Sequence, residues 1–237
     1  MKAMGIMDGF KARKALMAHQ KGDEAHAMEE YEKLYQSGYL SAAYLLPYSV
    51  LLLRKGGEEN YLKVKEILKK AEKAPDLDAE RRKQLLMNYA VAQYKLGEME
   101  KALQLLERVH QKGPSGLIYG SLGFLYIQAG DAEKALAYNQ EALEYDDEDP
   151  VVLDNLGQTY YRLLNDKETA KGYFEKALEY KDNQIDTLYF LSRYDLEAGD
   201  RQAAAGKLEK AAEGRFSPLN YVTKDQILQE LAQLKKS

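Results

Sequence analysis

Cysteine is absent from the 237 residues, so disulfides, thiol nucleophiles and thiolate metal sites are excluded, and nothing can be read about redox compartment. Tryptophan is absent as well, and only three histidines occur, His19, His26 and His110. No H-E-x-x-H or comparable ligand spacing connects them, so they read as solvated helix surface and no metal ligand is assigned. Positive charge is not in excess: the net charge of −4 argues against non-specific nucleic-acid binding, which needs a basic stripe to neutralise phosphates. The longest uncharged apolar run, residues 44–53, is too short to span a bilayer and contains Pro47. The opening residues MKAMGIMDGF lack the apolar core of a signal peptide. Together these absences lead us to expect a cytoplasmic chain, or one on the cytoplasmic face of a membrane if an anchor lies upstream.

Two residue groups invite a site and fail on spacing. The run EYDDEDP (144–150) is dense in carboxylates but lacks the alternating ligands, central glycine and terminal glutamate of a calcium loop. It reads as a solvated turn. Gly113, Gly116, Gly120 and Gly123 do not form G-x-G-x-x-G, and no strand precedes them, so they read as a loop entering a helix. Nothing selects a pair of acids for general acid–base work. No catalytic, cofactor-binding or metal residue is therefore assigned, and an enzyme is not expected.

What the chain does contain is periodicity. Charged residues make up 30% and hydrophobic residues 45%, a folded composition without low-complexity tracts. No segment sustains period-two alternation, so essentially no strand is expected. The stretch LGFLYIQAGD (122–131) is apolar enough to be buried, yet carries glycines at 123 and 130. A glycine inside a helix costs about 1 kcal/mol relative to alanine. The explanation is a repeat. Leu122-Gly123 recurs 34 residues later as Leu156-Gly157, with Tyr126 matching Tyr160. After a one-residue insertion Ala135 matches Ala170 and Ala142 matches Ala177. A small residue recurs at Ala15, Ser49, Ala90, Gly123, Gly157 and Ser192, at spacings of 34, 41, 33, 34 and 35, as expected where two helix backbones approach too closely for a larger side chain. Seven residues later stands a glycine in five of the six cases, Gly22, Gly56, Gly97, Gly130 and Gly199. Each unit reads as two helices: in the fourth, 117–129, a break at Gly130 with Asp131 as N-cap, then 132–145, stopped before Pro150.

These residues resemble the tetratricopeptide repeat family, most closely in units four and five through Tyr119, Leu122, Gly123, Tyr126, Gly130, Ala135 and Ala142, then Leu153, Leu156, Gly157, Tyr160, Ala170, Phe174 and Ala177. The resemblance implies an all-α, right-handed superhelical solenoid. Its units run over about 8–41, 42–82, 83–115, 116–149, 150–184 and 185–218, in one domain closed by a capping helix over 219–237. Ile227, Leu228, Leu231 and Leu234 are expected on one face of that cap. Departures are noted: Lys11 and Lys14 suit an exposed first unit. Pro47 predicts a kink in the first helix of unit two, and the extra residues before unit three predict a longer second helix over 60–74. Asn139 stands where an aromatic residue is expected, which predicts looser packing.

In this family the second face of each first helix lines a concave groove that takes a peptide or partner protein. Carried over position by position, that face comprises Met87, Val91 and Tyr94 in unit three, and Gly120, Phe124 and Ile127 in unit four, with Leu117 in the middle of the groove beside them. In unit five it comprises Asp154, Gln158 and Tyr161, and in unit six Tyr189, Arg193 and Leu196. Asn88 and Asn155 lie beside it and either bind a peptide backbone or cap loops. The groove would be apolar in its middle and more polar toward Asp154 and Asp186. No Lys/Asn pair stands at the positions that clamp a terminal carboxylate in chaperone-tail-binding members. The expected partner is a protein or peptide, with no nucleic acid and no cofactor. The alternative is self-assembly through an N-terminal arm bearing Met4, Ile6 and Met7, within a membrane-associated complex if an anchor is present.

Overall fold

The structure, a computed structural model, describes residues 6–235; Met4 and the side chain of Ile6 lie outside what it describes. The described residues are all-α, with thirteen α-helices and no strand. The chain packs as two compact units, Met1–Val109 and His110–Ser237.

The first unit contains α1 (Ile6–Gln20), α2 (Glu24–Ser37), α3 (Ala42–Lys55), α4 (Glu58–Ala71) and α5 (Ala79–Lys95), and most of α6 (Met99–Gln111). α1 pairs with α2 and α3 with α4, while α3 also packs on α1 and α5. The small residues Ala15, Ser49 and Ala90 are fully buried, whereas Lys11 and Lys14 are exposed. Helix α3 continues through Pro47, which stands near its start and forfeits one backbone bond. The expectation of a long second helix fails: α4 has 14 residues, like α2 and α3. The additional residues form the connection 72–78, and they have a use. Asp76 there accepts from Ser41 Oγ (2.8 Å), Ala42 N (2.7 Å) and Ala43 N (3.1 Å), capping α3 from outside its own hairpin. Burial works against its charge, but these donors hold the carboxyl below its ordinary pKa.

The second unit holds α7 (Gly116–Ala129), α8 (Ala132–Tyr145), α9 (Pro150–Gln158), α10 (Lys167–Tyr180), α11 (Ile185–Glu197), α12 (Arg201–Ala212) and α13 (Lys224–Leu234). The hairpin turns follow from glycine and aspartate. Gly130 takes φ 79°, and Asp131 accepts from Lys134 N at 3.1 Å. The unit that lacks the glycine uses Asn165, at φ 54°, the side chain that best tolerates this region, with Asp166 accepting from Thr169 N at 3.0 Å. The one-residue insertion of that unit is absorbed just upstream. After Gln158 the chain winds as a π-helix over Thr159–Leu163, and Leu164 N–H reaches back five residues to the Thr159 carbonyl at 3.1 Å.

The small position is small for a side chain rather than for a facing backbone. A Cβ on Gly157 would lie 2.4 Å from the ring of buried Phe174, and a Cβ on Gly123 would lie 2.1 Å from Asn139 Oδ1. Phe174 and Asn139 occupy equivalent positions in their hairpins. Contrary to loose packing, Asn139 is fully buried, and its Nδ2 donates to the Ala135 carbonyl at 2.9 Å. The cap α13 buries Ile227 and Leu231 against Leu188, Leu208 and Ala211, with Leu234 at the margin. Leu228 is instead exposed, one residue off that stripe.

Candidate functional site

The first helices of the second unit, α7, α9 and α11, lie side by side, and a cavity of about 520 Å³ opens on them. Leu117, Gly120 and Phe124 contribute from α7, and Val151, Asp154 and Asn155 from α9. Gln184, Ile185 and Asp186 line it at the start of α11, and Arg215, Leu219 and Asn220 from the connection that follows α12. Gly120 leaves no room for a Cβ, because Val151 Cγ1 lies 2.9 Å from where it would stand. The apolar rim is accessible: Leu117 is 58% exposed and Val151 38%.

The deep wall is polar and fully bonded. Asn155 Nδ2 donates to the Gly120 carbonyl at 2.9 Å, tying α9 to α7. Asp154 accepts from Thr187 Oγ1 (2.5 Å) and Gln158 Nε2 (2.8 Å). Asp186 accepts from Asn220 Nδ2 (3.1 Å), Tyr221 N (2.8 Å) and Val222 N (3.3 Å). Burial, then the neighbouring Asp186 carboxylate, pushes the Asp154 carboxyl up to about 7. Burial also raises Asp186, while its three donors and Arg162 pull the other way. Arg162 NH1 donates to Gln158 Oε1 at 3.0 Å, and its guanidinium lies 4.1 Å from the Tyr221 ring centroid.

Five of the residues expected in a groove meet at this cavity: Leu117, Gly120, Phe124, Asp154 and Asn155. The others do not. Phe124 forms wall rather than rim at 3% exposure, and Ile127 is buried at 1% and does not line the cavity. The reason is that α7 is apolar all round, and ten successive residues of it are buried. Met87 and Val91 are buried in α5, where Tyr94 is half-buried with Lys95 Nζ 5.0 Å from its ring centroid. Asn88, like Asn155, is a tie between hairpins, donating to Ser49 Oγ at 2.8 Å. Gln158 is buried as the bridge between Asp154 and Arg162. Tyr161 turns away because the π-helix shifts the register. Its ring packs 5.1 Å from Phe190 and 5.8 Å from Tyr194, and Arg162 stands on the side of Gln158 instead. Tyr189 and Arg193 both bond Glu230 of α13, so the cap covers them.

Arg162, Arg215 and Asn220 escaped the sequence reading. The signal for Arg162 was the missing glycine of unit five, which locates the insertion before residue 165. The signal for Asn220 was the length of the connection after α12.

The sequence profile of the tetratricopeptide repeat matches residues 117–149 and 152–184. No curated protein sequence matches the chain. Among solved structures, PilW, described as a widely conserved type IV pilus biogenesis factor, superposes with TM-score 0.64 at 16% identity, over 95% of this chain and 99% of that one. Pseudomonas aeruginosa pilF gives TM-score 0.58 at 18% identity, over 94% and 96%. A thermophilic tetratricopeptide protein of Thermus thermophilus gives 0.54 at 15% identity, over 97% and 100%. At these identities the likeness speaks for the fold.

Proposed function

We propose that this chain, which carries matched tetratricopeptide repeats in its second unit, binds other proteins without catalysis, and that this unit takes an extended peptide in the cavity on α7, α9 and α11. The observation that carries this reading is an open cavity of about 520 Å³ whose apolar rim, Leu117 and Val151, stands over a bonded polar wall. Cavities of this size and mixed lining are typical of ligand sites. An apolar side chain would cover Leu117 and Val151, while the peptide backbone would face the polar wall. Each carboxylate oxygen of Asp154 already has a donor, which favours a structural role for it over an acid–base one. Among the described residues no group of acidic or histidine side chains is arranged to hold a metal, and no helix is long and apolar enough to cross a membrane.

The experiment is a pull-down with native chain, Leu117→Glu and Val151→Glu side by side. Rim residues are chosen rather than Phe124, because truncating its buried ring would damage the fold itself. Partners retained equally by all three would remove the cavity reading.

Self-assembly is the second reading, and one observation favours it. On α1 Met7 and Phe10 are 72% and 71% exposed, with Met17 on the same side of the helix at 55%. Light scattering over a range of concentrations, with Phe10→Glu as comparison, tests it. A monomer at every concentration sinks this reading.

A further inference from the structure

The connection after α12 is out of proportion. The turns between hairpins at 112–115, 146–149 and 181–184 are short, whereas residues 213–223 form a long excursion before α13. That excursion does not loop into solvent. It starts at Gly214, where a Cβ would lie 2.7 Å from Ile185 Cγ1, so the backbone hugs the start of α11. It then lays Asn220, Tyr221 and Val222 along α11. Two backbone N–H groups and one side-chain amide converge on the Asp186 carboxylate. The Tyr221 ring stacks on Phe190 at 5.2 Å and meets the Arg162 guanidinium at 4.1 Å. Leu219 and Asn220 form one side of the cavity.

This is how a foreign peptide would be held: backbone donors on a buried acceptor, and an aromatic side chain between a ring and a cation. The holding groups all belong to α11 and the π-helix. The excursion adds only its own turn, in which Asn220 Oδ1 accepts from Ser217 N at 2.6 Å and Ser217 Oγ accepts from Leu219 N at 3.1 Å. We propose that this seat, built from Asp186, Phe190 and Arg162, is a binding site for an extended segment carrying an aromatic side chain, and that residues 217–221 fill it as a displaceable strap. The inference rests on the peptide-binding reading given above and names its ligand class and its built-in competitor. A partner segment that displaces the strap also opens the side of the cavity formed by Leu219 and Asn220. Val222 remains in the core with Ile227 and Leu231, so α13 keeps its place when the strap leaves.

Tyr221 is 39% exposed and therefore removable without opening a core. Hydrogen exchange on full-length Tyr221→Ala is expected to show the amides of Asn220 and Tyr221 exchanging faster by about tenfold, with α7 to α10 unchanged. The second arm uses a labelled synthetic peptide, Ser-Pro-Leu-Asn-Tyr-Val-Thr, added in trans. The Tyr221→Ala chain should bind it about tenfold more tightly than the native chain, whose own strap competes at high effective concentration. Asp186→Asn in that background should abolish the gain, as should replacing the peptide tyrosine by alanine. Unchanged exchange, or an opened strap that leaves peptide binding no tighter, overturns the proposal. Failure of the cavity reading shows elsewhere, as indifference of partner binding to Leu117→Glu, and leaves these two arms interpretable.

Discussion

The repeat's small position yields a prediction in which one substitution has opposite signs at two glycines. In Gly157→Ala the new Cβ would stand 2.4, 2.5 and 2.9 Å from Cε1, Cδ1 and Cζ of Phe174. Carbon atoms in good contact sit at about 3.5–4.0 Å, so the ring must retreat by about 1 Å. It has nowhere to go, since Phe174 is fully buried and stacked on Phe190 at 5.1 Å with the planes 5° apart. Overpacking of this kind costs about 1–3 kcal/mol. Alanine returns about 1 kcal/mol of helix propensity, leaving a net loss of up to about 2 kcal/mol. Gly172, inside α10, has nothing within 4 Å of its would-be Cβ. There the same change collects only the propensity and should stabilise by about 0.5–1 kcal/mol. Urea unfolding followed by circular dichroism at the helix band reads both midpoints. In a Phe174→Leu background, where the ring edge is gone, Gly157→Ala should turn neutral or stabilising. Equal shifts of the same sign at the two glycines would refute the packing argument, as would a Gly157→Ala penalty that survives removal of the ring.

Three further outcomes follow from the geometry. Asp154, its pKa raised to about 7 by burial and by Asp186, binds a proton more tightly folded than unfolded. Stability linked to it is therefore present below about pH 4 and lost as pH rises toward 7, by an amount on the order of a few kcal/mol. Asp154→Asn should flatten that slope in melts taken across the range, and an unchanged slope would contradict the assignment. Asp76 has the opposite sign: its lowered pKa makes the α3 cap strong at neutral pH and weaker as pH falls below the ordinary carboxylate range. Asp76→Ala should cost about 1–2 kcal/mol at pH 7 and less at pH 3. Asn165 holds φ 54°, so Asn165→Gly should be neutral or stabilising by under about 1 kcal/mol, whereas Asn165→Val should destabilise, both checked by thermal melts.

The hairpins were legible because their signals are local. Gly130-Asp131 states a turn and a cap within two residues, and Gly157 states a close approach, although it is the structure that shows the Phe174 ring to be its cause. Features that depend on register or on a distant partner were not. A one-residue insertion can sit in a turn or in a helix; here the π-helix takes it, and that choice moves Tyr161 into an aromatic cluster and brings Arg162 to Gln158 and Tyr221. Phe124 and Ile127 fall on the expected face of α7, but a helix apolar on every side has no face to spare for solvent. Tyr189 and Arg193 also fall on the expected face, and Glu230, 37 residues beyond Arg193, covers them. Leu117, Asp154 and Asn155 reached the cavity because no register shift or cap intervenes before them.

Binding of extended peptide by the second unit, at the cavity on α7, α9 and α11, can be tested before any natural partner is known. Its most direct test is to select peptides from a random displayed library on the native chain and measure their affinities. The comparison is with Leu117→Glu at the cavity rim and Leu62→Glu at an exposed site on α4. The selected peptides should lose about tenfold or more in affinity with Leu117→Glu and nothing with Leu62→Glu. Equal affinity for all three chains, with each variant melting as the native protein does, would contradict it.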